Sequence, residues 1–190
     1  MGGLEGTVNA ESDEERIGTK IAELRDRVLK GATFRDIRAD ILALDQSDPS
    51  RKTAPLLLAF LREPGIAKKL TVGPPEEVRA YYATVSFIAF HTAQILASAN
   101  KYGEAGEHTK LSLDAYEQGY TEEQKRESAD SWKAYVEGTQ LYFSGKTIPD
   151  SVIARVKDEG NRAILLRLNA GLRKRGAPNY AEDYYSAPAQ

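Results

Sequence analysis

Apolar side chains recur along this chain every three or four residues, a spacing that predicts amphipathic α-helices. A capping box at Ser12 precedes the first such set, and Gly31 ends it. The longest set runs from Val78 to Leu96 after two prolines, which suit the first turn of a helix. No segment has the alternating pattern that predicts paired strands. The pattern therefore predicts an all-α fold of seven or eight antiparallel helices, as a bundle or a repeat-like array.

Capping and turn-forming residues define the ends of the other predicted helices. A short apolar helix from Ala54 to Arg62 stops at the sequence Glu63–Pro64–Gly65. A capping box at Thr121 opens one long helix that continues to Phe143. The last helix begins at Pro149 and ends at Gly176. The sequence leaves open whether this last helix is continuous through Gly160.

The distribution of these elements predicts one helical domain over residues 12–176. Residues 1–11 are rich in glycine and acidic side chains, which predicts a disordered N-terminus. Residues 177–190 mix tyrosines with acidic and small residues, which predicts a flexible tail that could serve as a docking peptide. The tail tyrosines are Tyr180, Tyr184 and Tyr185.

Composition removes several classes of function. Among 190 residues there is no cysteine, so disulfides, thiolate zinc sites, iron–sulfur ligation and cysteine nucleophiles are excluded. The net charge of −2 gives no overall preference for nucleic acid or for an anionic membrane. The apolar run from Val78 to Ala99 contains Arg79 and His91 and is periodic, so it is interpreted as an amphipathic helix and not a membrane span. We expect a cytoplasmic protein.

Residues 86–119 carry small residues at helix-crossing positions. Ala93 and Ser112 are small, Leu96 is large, and the segment Lys101–His108 has the form of a tight turn that opens a second helix. In these positions the segment resembles one tetratricopeptide unit of 34 residues, although the family's tryptophan and proline positions are not filled. The resemblance implies a peptide- or protein-binding scaffold. Because any antiparallel helical hairpin needs small residues at its crossing point, that simpler explanation stays open.

Motifs for catalysis and metal binding are weak. The segment Gln140–Thr147 differs from a phosphate-binding loop at its first glycine, and it is interpreted as the end of a helix. Glu104 and His108 lie one turn apart and could share a metal with His91, but the paired ligand motifs of helical metal sites are missing. The sequence therefore predicts no metal, no cofactor and no catalytic residue, and an enzyme of unrecognised type is the third hypothesis.

Positive side chains line one side of the last predicted helix. Arg155, Arg162 and Arg173 fall within about 20° of one line if the helix is continuous. The stripe has two interpretations: a solvated face neutralised by local ion pairs, or a surface that contacts nucleic-acid phosphates. The candidate nucleic-acid-binding residues are Arg155, Arg162, Arg167, Arg173 and Arg175.

The favoured hypothesis is a protein–protein interaction or assembly module that binds another protein or a second copy of itself and has no membrane partner. Its candidate residues are expected in a groove between the fourth and fifth predicted helices and in the tail. They are Tyr81, Tyr82, His91, Tyr102, His108, Tyr180, Tyr184 and Tyr185. The second hypothesis is a small helical subunit of a nucleoprotein complex. A concave aromatic groove would favour the first hypothesis, and an exposed arginine stripe would favour the second.

Overall fold

The computed structural model of the protein describes residues 12–186. These residues form eleven helices and no strand, so the predicted all-α fold is confirmed. In chain order the helices are α1 (Asp13–Leu29), α2 (Phe34–Gln46), α3 (Ala54–Arg62), α4 (Pro64–Leu70), α5 (Pro75–Ser98), α6 (Tyr102–Gly119), α7 (Glu122–Arg126), α8 (Asp130–Phe143), α9 (Asp150–Arg155), α10 (Glu159–Arg175) and α11 (Tyr180–Asp183). No helix among residues 12–186 combines the length and the apolar character needed to cross a membrane.

Helix α5 runs through the centre of the fold and contributes to two apolar cores. Its N-terminal half, including Val85 and Ile88, packs with α1 to α4. Its C-terminal half, including Phe90 and Ala93, packs with the start of α6 and with α8 to α11. Because α5 contributes to both cores, it joins the two groups of helices.

The antiparallel hairpin of α5 and α6 is the most extensive helix contact among residues 12–186. Ser86 and Ser112 are fully buried, and each hydroxyl donates to the other residue's backbone carbonyl, at 2.8 and 2.7 Å. Near the end of α6, Gly119 lies so close to α5 that an added Cβ would be 2.6 Å from the backbone nitrogen of Ala83. Small side chains therefore let the two backbones approach one another.

Helix α3 ends at Arg62, as the sequence Glu63–Pro64–Gly65 predicts. A further helix follows at once, because Pro64 occupies the first turn of α4, where its missing N–H costs nothing. The long helix predicted from Thr121 to Phe143 is divided into α7 and α8. Helix α7 has no buried residue, whereas Ala129, just before α8, is buried. The change of direction lets α8 bring its apolar side chains into the core.

The last predicted helix is also divided, and the break precedes Gly160. Val156 is fully buried in an extended conformation, and the side chain of Asp158 accepts a hydrogen bond of 2.8 Å from the backbone N–H of Asn161. Asp158 is therefore the cap of a new helix, α10, which contains Gly160. Arg155 consequently lies on a different helix from the arginines that follow it.

Residues 177–186 belong to the segment predicted as a flexible tail, and the structure places a short helix there. Helix α11 packs onto the second core, and the side chain of Tyr180 is only 3% exposed. The physical reason is that this short helix covers apolar surface on α5 and α8 that the preceding helices leave open. Residues 187–190 and the predicted disordered segment, residues 1–11, lie outside the described residues.

We expect Gly119→Ala to lower the free energy of unfolding by about 1–3 kcal/mol, because the added methyl group must displace the backbone of α5. The matched control is Gly106→Ala in the same helix, where an added Cβ meets open space. Alanine favours helices over glycine, so the control should raise the free energy of unfolding by up to about 1 kcal/mol. Urea denaturation followed by circular dichroism measures both values, and equal effects would contradict the close contact.

Candidate functional site

A concave cleft of about 880 Å³ opens between α5, α8, α10, α11 and the loop that joins α2 to α3. Seven aromatic side chains line it, and we call it the aromatic cleft. They are Phe87, Phe90, Trp132, Tyr135, Tyr180, Tyr184 and Tyr185. The cleft unites residues from distant parts of the chain, so it exists only in the folded protein.

The aromatic rings in the cleft support one another at interacting distances. The ring centroid of Phe90 lies 5.2 Å from that of Trp132 and 5.1 Å from that of Tyr135. On the opposite wall, the centroids of Tyr180 and Tyr184 are 5.4 Å apart. Edge-to-face and tilted contacts at these distances stabilise aromatic clusters beyond the burial of area. The lining is therefore an ordered surface built from packed rings.

A buried carboxylate lies beneath one end of the cleft. Asp45 is fully buried on α2, and its Oδ2 accepts from Nη1 of Arg51 at 2.8 Å and contacts Nδ1 of His91 at 2.9 Å. Its Oδ1 has no hydrogen-bond partner within residues 12–186. A buried carboxylate requires compensation by donors, and here both donors come from residues that line the cleft.

The contact with Asp45 determines which nitrogen of the His91 ring carries the hydrogen. A carboxylate only accepts hydrogen bonds, so Nδ1 of His91 carries the hydrogen that faces Asp45. The other ring nitrogen, Nε2, has no partner in the described chain and is not among the fully enclosed unpaired atoms. In the neutral ring it is therefore a hydrogen-bond acceptor that reaches the cleft. No hydroxyl of residues 12–186 donates to His91, so a serine-type nucleophile is not assembled there.

The loop between α2 and α3 holds Arg51 in a restricted conformation. Arg51 has a φ of 60°, in the left-handed region that non-glycine residues seldom adopt. Asp48 stabilises the loop by accepting from the backbone N–H groups of Ser50 and Thr53, each at 3.0 Å. The exposed side chain of Lys52 follows at the rim of the cleft.

Helix α11 forms the wall opposite this loop, and a second buried carboxylate anchors it. Asp183 is 2% exposed and accepts from the hydroxyl of Tyr142 at 2.5 Å and from the guanidinium of Arg175. Burial and the neighbouring carboxylate raise the pKa of Tyr142 well above its ordinary value, so its hydroxyl stays a donor. Gly171 on α10 gives the carboxylate room, because an added Cβ would lie about 2.0 Å from Asp183 Oδ1.

The predicted protein-binding residues separate into two groups. His91, Tyr180, Tyr184 and Tyr185 meet in the aromatic cleft, and Tyr185 is 81% exposed at its edge. Tyr102 lies behind this wall, where its hydroxyl accepts from the backbone N–H of Tyr180 at 2.8 Å.

The remaining predicted residues do not form the expected groove between α5 and α6. Tyr81 is buried and donates to the carbonyl of Leu61, while Tyr82 packs against it near the first core. His108 lies on α6, with Nδ1 2.8 Å from the carbonyl of Glu104 in its own helix. The expected groove is closed because the two backbones are in close contact there.

Sequence reasoning missed most of the cleft, including Asp45, Arg51 and Trp132 as site residues. One signal was present in α5, where aromatic and polar residues recur at helical spacing on the face opposite the predicted apolar stripe. They are Phe87, His91, Gln94 and Ser98. The partners of that face come from four other elements, which spacing along the chain does not reveal.

The predicted arginine stripe is largely occupied by contacts within the chain. Arg155 donates to Asp130 at 3.1 and 2.7 Å and to Glu137 at 3.0 Å. Arg175 pairs with Asp183. Two further members donate to backbone carbonyls, Arg162 to Val156 and Arg167 to Tyr184. Arg173 remains exposed.

The histidines and acidic residues are not arranged as a metal site. Within residues 12–186, no group of three or more histidine, aspartate or glutamate side chains is placed to hold a metal ion. The sequence trio of His91, Glu104 and His108 is not brought together, because His91 faces Asp45 and His108 contacts its own helix. The aromatic cleft instead offers rings, one histidine acceptor and two cationic side chains.

Comparison with protein-family models, with curated proteins and with solved structures gave no match. The functional hypothesis therefore depends on the side chains that line the cleft. Their combination of packed aromatic rings with polar side chains is typical of a pre-formed binding site.

We expect Gly171→Ala to loosen helix α11, because the added methyl group would overlap a carboxylate that two donors hold in place. The free energy of unfolding should fall by about 1–3 kcal/mol, and the amides of residues 180–184 should exchange faster with deuterium. Gly103→Ala, where an added Cβ meets open space, is the control. Unchanged exchange at α11 would show that Asp183 does not anchor this wall.

The ion pair of Arg155 should contribute stability that depends on pH. The hydrogen bond from Arg155 lowers the pKa of Asp130 below its ordinary value of 3.8. A lowered folded-state pKa stabilises the protein above the ordinary pKa, and this contribution is lost as the pH falls through the lowered value. Asp130→Asn should therefore cost up to about 1 kcal/mol at pH above 5 and less in more acidic buffer.

Urea denaturation of wild type and Asp130→Asn across this pH range tests the expectation. Asp114→Asn, at an exposed position of α6 with no ion pair in the described chain, is the matched control. A difference between wild type and Asp130→Asn that stays constant with pH would contradict the assignment.

Proposed function

We propose that this protein is a non-catalytic binding module whose aromatic cleft receives a segment of another protein. The observation that carries the proposal is the concave surface of about 880 Å³ lined by packed aromatic rings. Aromatic side chains supply large contact area at low cost in conformational entropy, and they are enriched at the centres of protein interfaces. The volume suits a few side chains of an extended or helical segment.

The order of the cleft supports this proposal. Both walls are held by buried carboxylates, Asp45 beneath the loop after α2 and Asp183 beneath α11. A surface that is already arranged pays less of the entropic cost of binding. In this proposal the hairpin of α5 and α6, which contains the tetratricopeptide-like segment, is the scaffold that presents the cleft. The absence of cysteine fits a reducing compartment, and we place the module in the cytoplasm.

A selection from a random peptide library against the folded protein tests the proposal. Wild type should enrich peptides that contain apolar or aromatic residues, and the fluorescence of Trp132, the sole tryptophan, should change when these peptides are titrated. Ser98→Trp should weaken binding about tenfold or more, because a bulky side chain at the exposed rim fills the cleft. Anisotropy of a labelled peptide measures the affinity of this variant.

The matched control is Ser151→Trp, which adds the same side chain at an exposed position of α9 outside the cleft. It should bind the selected peptides as wild type does. Failure of wild type to enrich any peptide, or an equal loss in both variants, would contradict the proposal.

The alternative hypothesis is that the protein binds nucleic acid, and a direct binding measurement tests it. Labelled single-stranded RNA and duplex DNA should bind weakly or not at all, because Arg155 and Arg175 are neutralised by carboxylates within the chain. Binding that falls steeply with salt and is lost in Arg162→Ala/Arg173→Ala would replace our proposal with that hypothesis.

Sedimentation analysis of the free protein identifies a second copy as the occupant if the population of dimers is lost in Ser98→Trp.

A further inference from the structure

We infer that the segment bound in the aromatic cleft carries a carboxylate beside an apolar or aromatic side chain, and that Arg51 and Lys52 receive this carboxylate. The inference rests on the proposed function and names the chemistry of the partner. The carboxylate comes from an aspartate or glutamate side chain or from a free C-terminus, and the experiment below separates these sources.

The charged side chains that line the cleft are cationic. Arg51 and Lys52 line one end, and none of the lining residues in the described chain is an aspartate or glutamate. Asp45 lies beneath the surface, fully buried, and two donors already engage its Oδ2. A cleft with cationic side chains and low-dielectric aromatic walls favours an anionic partner, because the walls concentrate the field.

Arg51 keeps donors available for a ligand. Only its Nη1 is hydrogen bonded within residues 12–186, although a guanidinium has five N–H donors. The bond to Asp45 and the restrained loop hold the side chain in place without using the other donors. Arginine pairs with carboxylates through two parallel hydrogen bonds, and a pre-positioned guanidinium loses less entropy on forming them.

The apolar and cationic parts of the cleft lie close together. Asp45 bridges Arg51 and His91, and the ring centroid of His91 lies 4.2 Å from that of Phe87. The Phe87 ring is in turn 5.7 Å from Trp132. Because an extended chain advances about 3.3 Å per residue, the carboxylate should lie within about two residues of the apolar side chain. Nε2 of His91, between the two, is placed to accept from an N–H group of the same segment.

The test uses the best peptide from the selection and matched synthetic versions of it. In one version each aspartate or glutamate becomes asparagine or glutamine, and in another the C-terminal acid becomes an amide. Removing the recognised carboxylate should weaken binding about tenfold or more, measured by Trp132 fluorescence, because a charge-assisted pair is lost. The version that loses affinity identifies the source of the carboxylate.

Variants of the protein locate the contact. Lys52→Glu, at an exposed side chain without an ion pair in the described chain, should weaken the acidic peptide about tenfold and leave its neutral version unchanged. Arg51→Gly should also weaken binding of the acidic peptide, since glycine accepts the left-handed backbone while the guanidinium is removed. Lys174→Glu makes the same change of charge on an exposed part of α10 outside the cleft, and should have no effect.

The outcomes separate the two proposals. Enriched peptides that bind equally well without any carboxylate, or that carry lysine or arginine at these positions, would overturn the inference and leave the proposed function standing. No enriched peptide would overturn both. Circular dichroism confirms that each variant is folded, and the result for Lys52→Glu decides the inference if Arg51→Gly fails to fold.

Discussion

The close contact between α5 and α6 is the constraint on which the rest of the structure depends. Ser86 and Ser112 exchange hydrogen bonds across it, and Gly119 lets the two backbones approach within a distance that a Cβ would forbid. Helix α6 covers one side of α5, and the two cores cover other sides. One face of α5 then remains without a covering helix. The aromatic cleft is that uncovered face together with the rings that surround it.

Two buried carboxylates then define the walls of the cleft. Asp45 ties the loop after α2 to α5, and Asp183 ties α11 to α8 and α10. Burying a charge costs free energy that apolar packing would not, so such pairs contribute more to a unique arrangement than to net stability. In this protein we attribute to them the positions of Arg51 and Tyr180, two of the residues that line the cleft.

The same principle accounts for the arginines of α9 and α10. Arg155 satisfies two carboxylates of α8, and Arg175 satisfies the one that anchors α11. Two of the arginines that resemble a binding stripe in the sequence therefore form ion pairs within the fold. The cationic groups that remain available at the cleft are Lys52 and the N–H groups of Arg51 that Asp45 does not engage. Function in this protein is consequently inferred from the charged groups and hydrogen-bond donors that contacts within the described chain leave available.

The sequence by itself determined the helical class and many helix ends, because periodicity and capping act within a few residues. The cap at Ser12 and the stop at Gly176 are examples, and both are present in the structure. Only the tertiary structure decided which apolar face meets which partner. Val156 interrupts a helix because its side chain is buried in the core, and Tyr180 holds α11 in place because α5 and α8 leave a site for its side chain. The spacing of apolar residues shows that a helix has an apolar face. The residues that cover this face can come from any part of the chain, so the sequence did not predict the cleft.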